Sequence, residues 1–340
     1  MSLRWGIIGV GEIAERAFAP ALARTPGAEL VSVYSRSMER AQAFAGRHQA
    51  ARAFDSLDAM LADPGLDAVY VATPNSLHAE HSIRAANAGK HVLCEKPMAI
   101  KAADGERMIE ACRANRVLLA CVYQNRYHAA HREARRRIES GALGEIQLAS
   151  AQLCRGFQRG SHWSGWRLDP AMTGSGAIVA QSVHPNDLLR YLIGAEVVEV
   201  EAMTDEAPPE RPVDEMVYAL LRFANGAHAT VVAGSLLPRY DNDLQLYGSG
   251  GKITCKGTLG VPPNNRAGEF TFESEAPIER VEYPVASSAI KMAEMVEDFA
   301  RCVAAGSGIG ISGANGLQMI RIATAMQQSS RTRKAVAIVY

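Results

Sequence analysis

The 340-residue chain has no excess of either charge: 36 lysines and arginines face 36 aspartates and glutamates. Without a long-range field of one sign, nothing draws it to nucleic acid or an anionic membrane. No apolar run approaches bilayer-spanning length, and Met1 leads directly into the strand pattern Arg4 to Val10 without a basic and apolar secretion signal. Cysteine is sparse. Cys94, Cys112, Cys121, Cys154, Cys255 and Cys302 are scattered with no close C-x-x-C pair, as expected of reduced thiols in a cytoplasmic protein. There is no internal repeat and no low-complexity segment. The histidine pairs His78/His81 and His128/His131 lack a third ligand at metal spacing, so no metal site is expected. These absences leave a small molecule as the expected partner.

A chain of this length outgrows one core, so two domains are expected. As far as about Tyr123, apolar or β-branched runs (5–10, 29–35, 68–73, 91–96, 117–123) alternate with helical patterns near 12–24, 38–48, 76–88 and 101–115, with a weak edge strand at 51–54. That alternation predicts βαβ units and a doubly wound parallel sheet over residues 1–123. From Gln124 the rhythm changes. A helix at 128–140, a strand at 146–154 and a helix at 176–193 precede strand-like segments at 216–223, 227–236, 241–248, 251–256, 269–274 and 280–284; helices at 288–305 and 313–329 follow. Successive strands without intervening helices predict an α+β domain over 124–340, built on a large, mainly antiparallel open sheet. The basic run Arg132 to Arg137 falls on a helix and reads as its solvated face.

The first strand runs into Gly9-Val10-Gly11-Glu12-Ile13-Ala14, a G-x-G-x-x-A turn between a strand and a helix. Gly9 permits the tight turn, Gly11 lets backbone approach a pyrophosphate, and Ala14 allows close helix packing, with the helix N-terminus facing the anion. The second strand ends Tyr34-Ser35-Arg36-Ser37, with no carboxylate to grip ribose hydroxyls or repel a phosphate. Ser35, Arg36 and Arg40 can instead meet an adenine 2′-phosphate, which favours NADP and leaves NAD possible. The competing reading leaves both arginines as solvated charges. The fourth strand ends Ala72-Thr73-Pro74-Asn75-Ser76-Leu77-His78 at the sheet edge where ligands bind, with Asn75 or Ser76 also suited to cap the next helix. The fifth ends Glu95-Lys96-Pro97. Pro97 stops the strand and extends Lys96 out of the sheet edge, where an ammonium could stabilise negative charge during hydride transfer.

The chain is identified as a member of the Gfo/Idh/MocA family (glucose-fructose oxidoreductase, inositol dehydrogenase and a rhizopine-catabolism protein). Gly9 to Ala14, Ala72 to His78, Ala88 to Pro97, and Gly174-Ser175-Gly176 leading to His184 carry the resemblance over nearly the whole length. It implies a Rossmann domain and a second domain for substrate binding and oligomerisation. It also implies cofactor contacts from Gly9 to Ile13, Ala72 to Asn75, Leu77, His78, and Glu95 to Pro97. Lys96 would act near the nicotinamide, with hydride transfer to or from a sugar, polyol or related compound. The family's third signature is similar to G-G-G-x-x-x-D-x-x-x-H-x-x-D on a helix. Gly174, Gly176, His184 and Asp187 match it, whereas Ala180 replaces the first aspartate and Pro185 follows the histidine. On a continuous helix, positions 180, 184 and 187 share one face, and Pro185 removes the bond to the Gln181 carbonyl. His184 is the expected proton carrier; the competing reading makes it a packed residue and leaves proton transfer to Lys96 through water.

Gly165-Trp166-Arg167 resembles a segment of the 1,5-anhydrofructose reductase branch of the family. Trp166 would wall a substrate pocket and Arg167 clamp a hydroxyl or anion, although packing alone also accounts for a tryptophan. Tyr123, Gln124, Arg126 and Asp187 complete the expected substrate residues. A carbohydrate-like substrate and a homodimer or homotetramer follow from the resemblance. A redox-silent dinucleotide sensor and a trans-dihydrodiol dehydrogenase stand as alternatives.

Overall fold

The computed structural model describes residues 2–160, 164–207, 209–237, 240–260 and 267–340. The chain divides into two compact units, Met1–Val122 with Ser287–Ile320, and Tyr123–Ala286 with Arg321–Tyr340.

The first unit is built on β1 (Leu3–Ile8), β2 (Ala28–Tyr34), β3 (Arg52–Phe54), β4 (Ala68–Val71), β5 (His91–Cys94) and β6 (Leu119–Cys121), ordered β3-β2-β1-β4-β5-β6. Every pairing is parallel. The central strands are buried on both faces, which is why β4 and β5 read as unbroken apolar runs. The strand order reverses between β1 and β4, so the turns after those strands open the crevice that binds ligands in such sheets. Trp5 on β1 meets Phe18 edge-on at 5.4 Å, and Phe18 stacks on Tyr70 of β4 at 3.7 Å. Phe299, from the helix Ser288–Ala305, closes over Trp5 at 5.1 Å. That helix therefore completes the core of the first sheet, although it follows the second sheet in sequence. Its amphipathic pattern shows an apolar face without saying which sheet receives it.

In the second unit the described strands form one sheet, ordered β14-β13-β12-β11-β7-β10-β9-β8-β15. These are β7 (Ile146–Cys154), β8 (Val197–Thr204), β9 (Met216–Phe223), β10 (His228–Gly234), β11 (Leu244–Gly248), β12 (Gly251–Lys256), β13 (Gly268–Glu273), β14 (Glu279–Tyr283) and β15 (Val336–Ala337). All described pairs are antiparallel except β7 with β10. β9 alternates buried and exposed residues, the mark of a sheet with one packed face. β8 was absent from the expected strands: its alternation is present, but Glu199 and Glu201 dilute the apolar signal. On the helix Ala129–Glu139 three of the arginines in the basic run are ion-paired. Glu133 pairs with Arg136 and Arg137, and Glu139 with Arg135. Among the described residues no helix is long and apolar enough to cross a membrane.

Candidate active site

Gly9 stands in the left-handed region at φ 101°, where a Cβ would press on the Ala72 carbonyl at 2.8 Å and the Thr73 methyl at 2.9 Å. The turns after β1 and β4 thus touch, which only glycine permits. A Cβ at Gly11 would meet nothing within 4 Å, so that side of the turn is open to a ligand. The first helical bond, Glu15 N–H to the Gly11 carbonyl at 3.0 Å, leaves the preceding amides of the turn at a helix start, where amides lack intrahelical acceptors. Val10 and Ile13 are half-buried and Glu12 is exposed, paired with Arg16. This turn fits a dinucleotide pyrophosphate.

At the end of β2, Ser35 is buried and its Oγ accepts the Ser37 amide at 3.3 Å, while Ser37 Oγ caps the helix Met38–His48. Arg36 and Arg40 are exposed beside this turn. After β4, a single 3₁₀ turn, Asn75–Leu77, leads into the helix His78–Asn87. The cap position of that helix is Leu77, without a side-chain bond of its own, and the Leu77 amide bonds the Pro74 carbonyl at 2.9 Å.

Lys96 is half-buried at the carboxyl end of β5, between Glu95 and Pro97, both buried. Glu95 accepts the Tyr70 hydroxyl at 2.5 Å through Oε1 and the Lys96 amide at 3.1 Å through Oε2. Burial pushes the Glu95 carboxyl upward, while the Lys96 charge and the Tyr70 hydroxyl pull against that. His78 places one ring nitrogen 2.8 Å from the Pro97 carbonyl and the other 2.8 Å from the Thr73 carbonyl. Burial lowers its pKa to about 4. His81 lies 3.1 Å from the Thr73 hydroxyl. Tyr70 and the His78 bridge were not read from the sequence; the only signal was the proximity in strand order of the motifs after β4 and β5. The other histidine pair is engaged as well: His128 Nδ1 caps the helix Ala129–Glu139, and His131 bonds the Asn125 carbonyl at 2.6 Å and the Thr258 hydroxyl at 2.8 Å. Among the described residues no three metal-ligating side chains converge.

In the second unit the segment expected to be one helix over 176–193 is broken into Ala177–Ala180 and Val183–Ile193. Ala180 and His184 therefore do not share a regular helical face. Pro185 falls in the first turn of the second helix, where its missing N–H costs no helical bond, so the interruption lies before His184 rather than at the proline. The Gly174-Ser175-Gly176 turn is held by Asp214, which precedes β9. Asp214 accepts Ser175 Oγ–H, the Gly176 amide at 2.9 Å and the Ile178 amide at 2.8 Å, and its own carbonyl accepts the Ala177 amide at 2.8 Å. A Cβ on Gly176 would overlap the Asp214 backbone, which explains that glycine.

His184 is half-buried, and Gln181 is buried in the interruption. Asp187 and Arg126 form a buried bidentate pair at 2.8 and 2.5 Å, with the guanidinium 4.9 Å from the Tyr191 ring and 5.9 Å from the Tyr123 ring. Burial pushes the Asp187 carboxyl upward against the pull of Arg126. This geometry ties the His184 helix to the turn Gln124–Tyr127. Tyr123 is buried and Gln124 half-buried; Trp166 and Arg167 are half-buried on the 3₁₀ turn Gly165–Leu168, the guanidinium 4.6 Å from the indole.

A doubly wound parallel sheet whose glycine turn meets a helix start defines a dinucleotide-binding protein. Residues 3–123 match the model for the oxidoreductase family with an NAD-binding Rossmann fold, and residues 131–254 match the GFO/IDH/MocA C-terminal domain. The chain belongs to the Gfo/Idh/MocA oxidoreductase family. The 1,5-anhydro-D-fructose reductase of Ensifer adhaerens is 33% identical over 261 residues, 76% of this chain and 78% of that protein. The aldose-aldose oxidoreductase of Caulobacter crescentus, solved with glycerol, superposes with a TM-score of 0.88 at 27% identity, covering 99% of this chain and 100% of that one. Levoglucosan dehydrogenase, solved with NADH and levoglucosan, gives 0.88 at 25% identity with full coverage of both chains, each at 100%.

Proposed function

We propose that the protein is an NADP-preferring oxidoreductase that moves a hydride between the nicotinamide and a sugar, polyol or related carbon bearing a hydroxyl or carbonyl. One observation carries the reading: Lys96 leaves the same sheet edge as the Gly9 turn, its neighbours bonded to Tyr70 and His78. The dinucleotide supplies the hydride chemistry. Its pyrophosphate would lie on Gly9 to Ile13 and its 2′-phosphate beside Ser35, Arg36 and Arg40; Ala72 to Asn75, Leu77, His78 and Glu95 to Pro97 border the nicotinamide end. Lys96 hydrogen-bonds the substrate oxygen and offsets the charge that develops there, and His184 exchanges its proton. Tyr123, Gln124, Trp166 and Arg167 contact substrate. Arg126 and Asp187, bonded to each other, serve the substrate site by holding the His184 helix.

The second unit is the substrate-binding and self-associating one. Met203, Tyr218, Leu220 and Leu148 are exposed on one sheet face, supporting a homodimer or homotetramer. The free, buried thiols support a cytoplasmic location. Absorbance at 340 nm tests the activity with NADP(H) and NAD(H) against 1,5-anhydro-D-fructose, levoglucosan, scyllo-inositol and trans-1,2-dihydrobenzene-1,2-diol. Turnover of a sugar or inositol with faster use of NADPH or NADP is expected. Turnover of the diol alone selects the dihydrodiol reading, and bound NADP without turnover of any of them selects a redox-silent sensor.

A further inference from the structure

His78 is almost fully buried, and both of its ring nitrogens lie 2.8 Å from backbone carbonyl oxygens. A neutral imidazole has one N–H and one lone pair, so it donates to one of these carbonyls at a time. The two acceptors are not equivalent. One belongs to Pro97, the residue after Lys96; the other belongs to Thr73, in the turn against which Gly9 packs. Pro97 itself has no amide to anchor it.

We infer that His78 is a positioning residue that ties down the lysine turn or the cofactor turn according to its tautomer: Nδ1–H holds the Pro97 carbonyl and with it Lys96, and Nε2–H holds the Thr73 carbonyl. The inference deepens the proposed function and rests on the assignment of Lys96. Being buried, the ring does not itself meet substrate. It acts through the two carbonyls, and each nitrogen governs a different kinetic quantity: the Pro97 bond bears on the chemical step, the Thr73 bond on cofactor affinity.

Two near-isosteric substitutions separate the nitrogens. The amide nitrogen of asparagine reaches about as far as Nδ1 and that of glutamine about as far as Nε2, so His78→Asn keeps the Pro97 bond and His78→Gln keeps the Thr73 bond. Both are assayed with NADPH and 1,5-anhydro-D-fructose, or with whichever panel sugar the wild type reduces fastest, and NADPH affinity is measured by fluorescence titration. For His78→Gln, kcat should fall by about 10-fold or more with NADPH affinity within about 3-fold; for His78→Asn, affinity should weaken by about 10-fold with kcat within about 3-fold. Alanine should show both losses. Equal effects of asparagine and glutamine on kcat and on affinity, or a drop in thermal stability with neither parameter changed, would overturn the inference. Lys96→Met, assayed alongside, keeps the two readings distinct: an active lysine variant removes the catalytic assignment, whereas an inactive one with an unsplit His78 pair removes only the positioning role of His78.

Discussion

The two segments that carry the candidate chemistry are held in opposite ways. Lys96 ends a strand of the first sheet, and its neighbours bond to residues close in strand order: Tyr70 on β4, and His78 just after it. His184 sits just past an interruption between two short helices, and the turn that begins this segment is fixed by Asp214, well downstream in the chain. A parallel sheet brings consecutive motifs to one edge through its own topology. A helical segment needs a cap, and the cap can come from any distance along the chain.

Lys96→Met should separate chemistry from binding most sharply, lowering kcat/KM by about 10³-fold or more while NADP affinity stays within about 3-fold. Loss of cofactor binding would instead make Lys96 part of the cradle. Acid should weaken the first unit through the bonded ring beneath that lysine. Folded His78 takes a proton near pH 4 rather than at its ordinary 6.5, so between these values the unfolded chain binds the proton that the folded chain lacks. Stability is present above 6.5 and falls as the pH drops toward 4, by about 3 kcal/mol from this ring at the lower end. Urea titrations of His78→Asn should show a flatter pH dependence over that interval.

Asp214→Ala probes the other side of the comparison, since it strips several buried donors of one acceptor. It should cost about 3 kcal/mol of unfolding free energy, with kcat lowered as well, because the segment leading to His184 loses its anchor. Unchanged urea stability would break the contrast between the two segments. His184→Ala should reduce kcat by about 10²-fold, whereas a loss below about 3-fold would assign proton transfer to Lys96 through water. The smallest effect is expected from Arg36→Ala combined with Arg40→Ala: KM for NADP should rise about 10-fold and KM for NAD remain unchanged. An equal effect on both cofactors would make the arginines solvated charges.

The strands of the first unit were legible because β4 and most of β5 are apolar and alternate with helices, whereas their order in the sheet was not read from the sequence. Lys96 was legible because Pro97 terminates its strand. The interruption at Gln181–Ser182 was not, because it lies within an apolar pattern that continues on both sides and contains no glycine. Pro185 suggested a bend one turn too late. Asp214 carries no local sign of its role, since the amides that it accepts lie far upstream. Arg126 and Asp187 show that a sequence candidate for ligand contact can be drawn into a buried partnership of its own.

The return of Phe299 to Trp5 gives the chain a particular order of assembly. The strands of the nucleotide-binding sheet are all made before the second sheet, yet the aromatic side chain that closes over Trp5 is made only after it. At about 5–20 residues per second the finished sheet waits about ten seconds to about half a minute with its indole uncovered. A fragment ending at Val122 would keep every strand of the first sheet but leave Trp5 without that cover. The nucleotide-binding sheet is therefore completed only by a helix made after the second sheet.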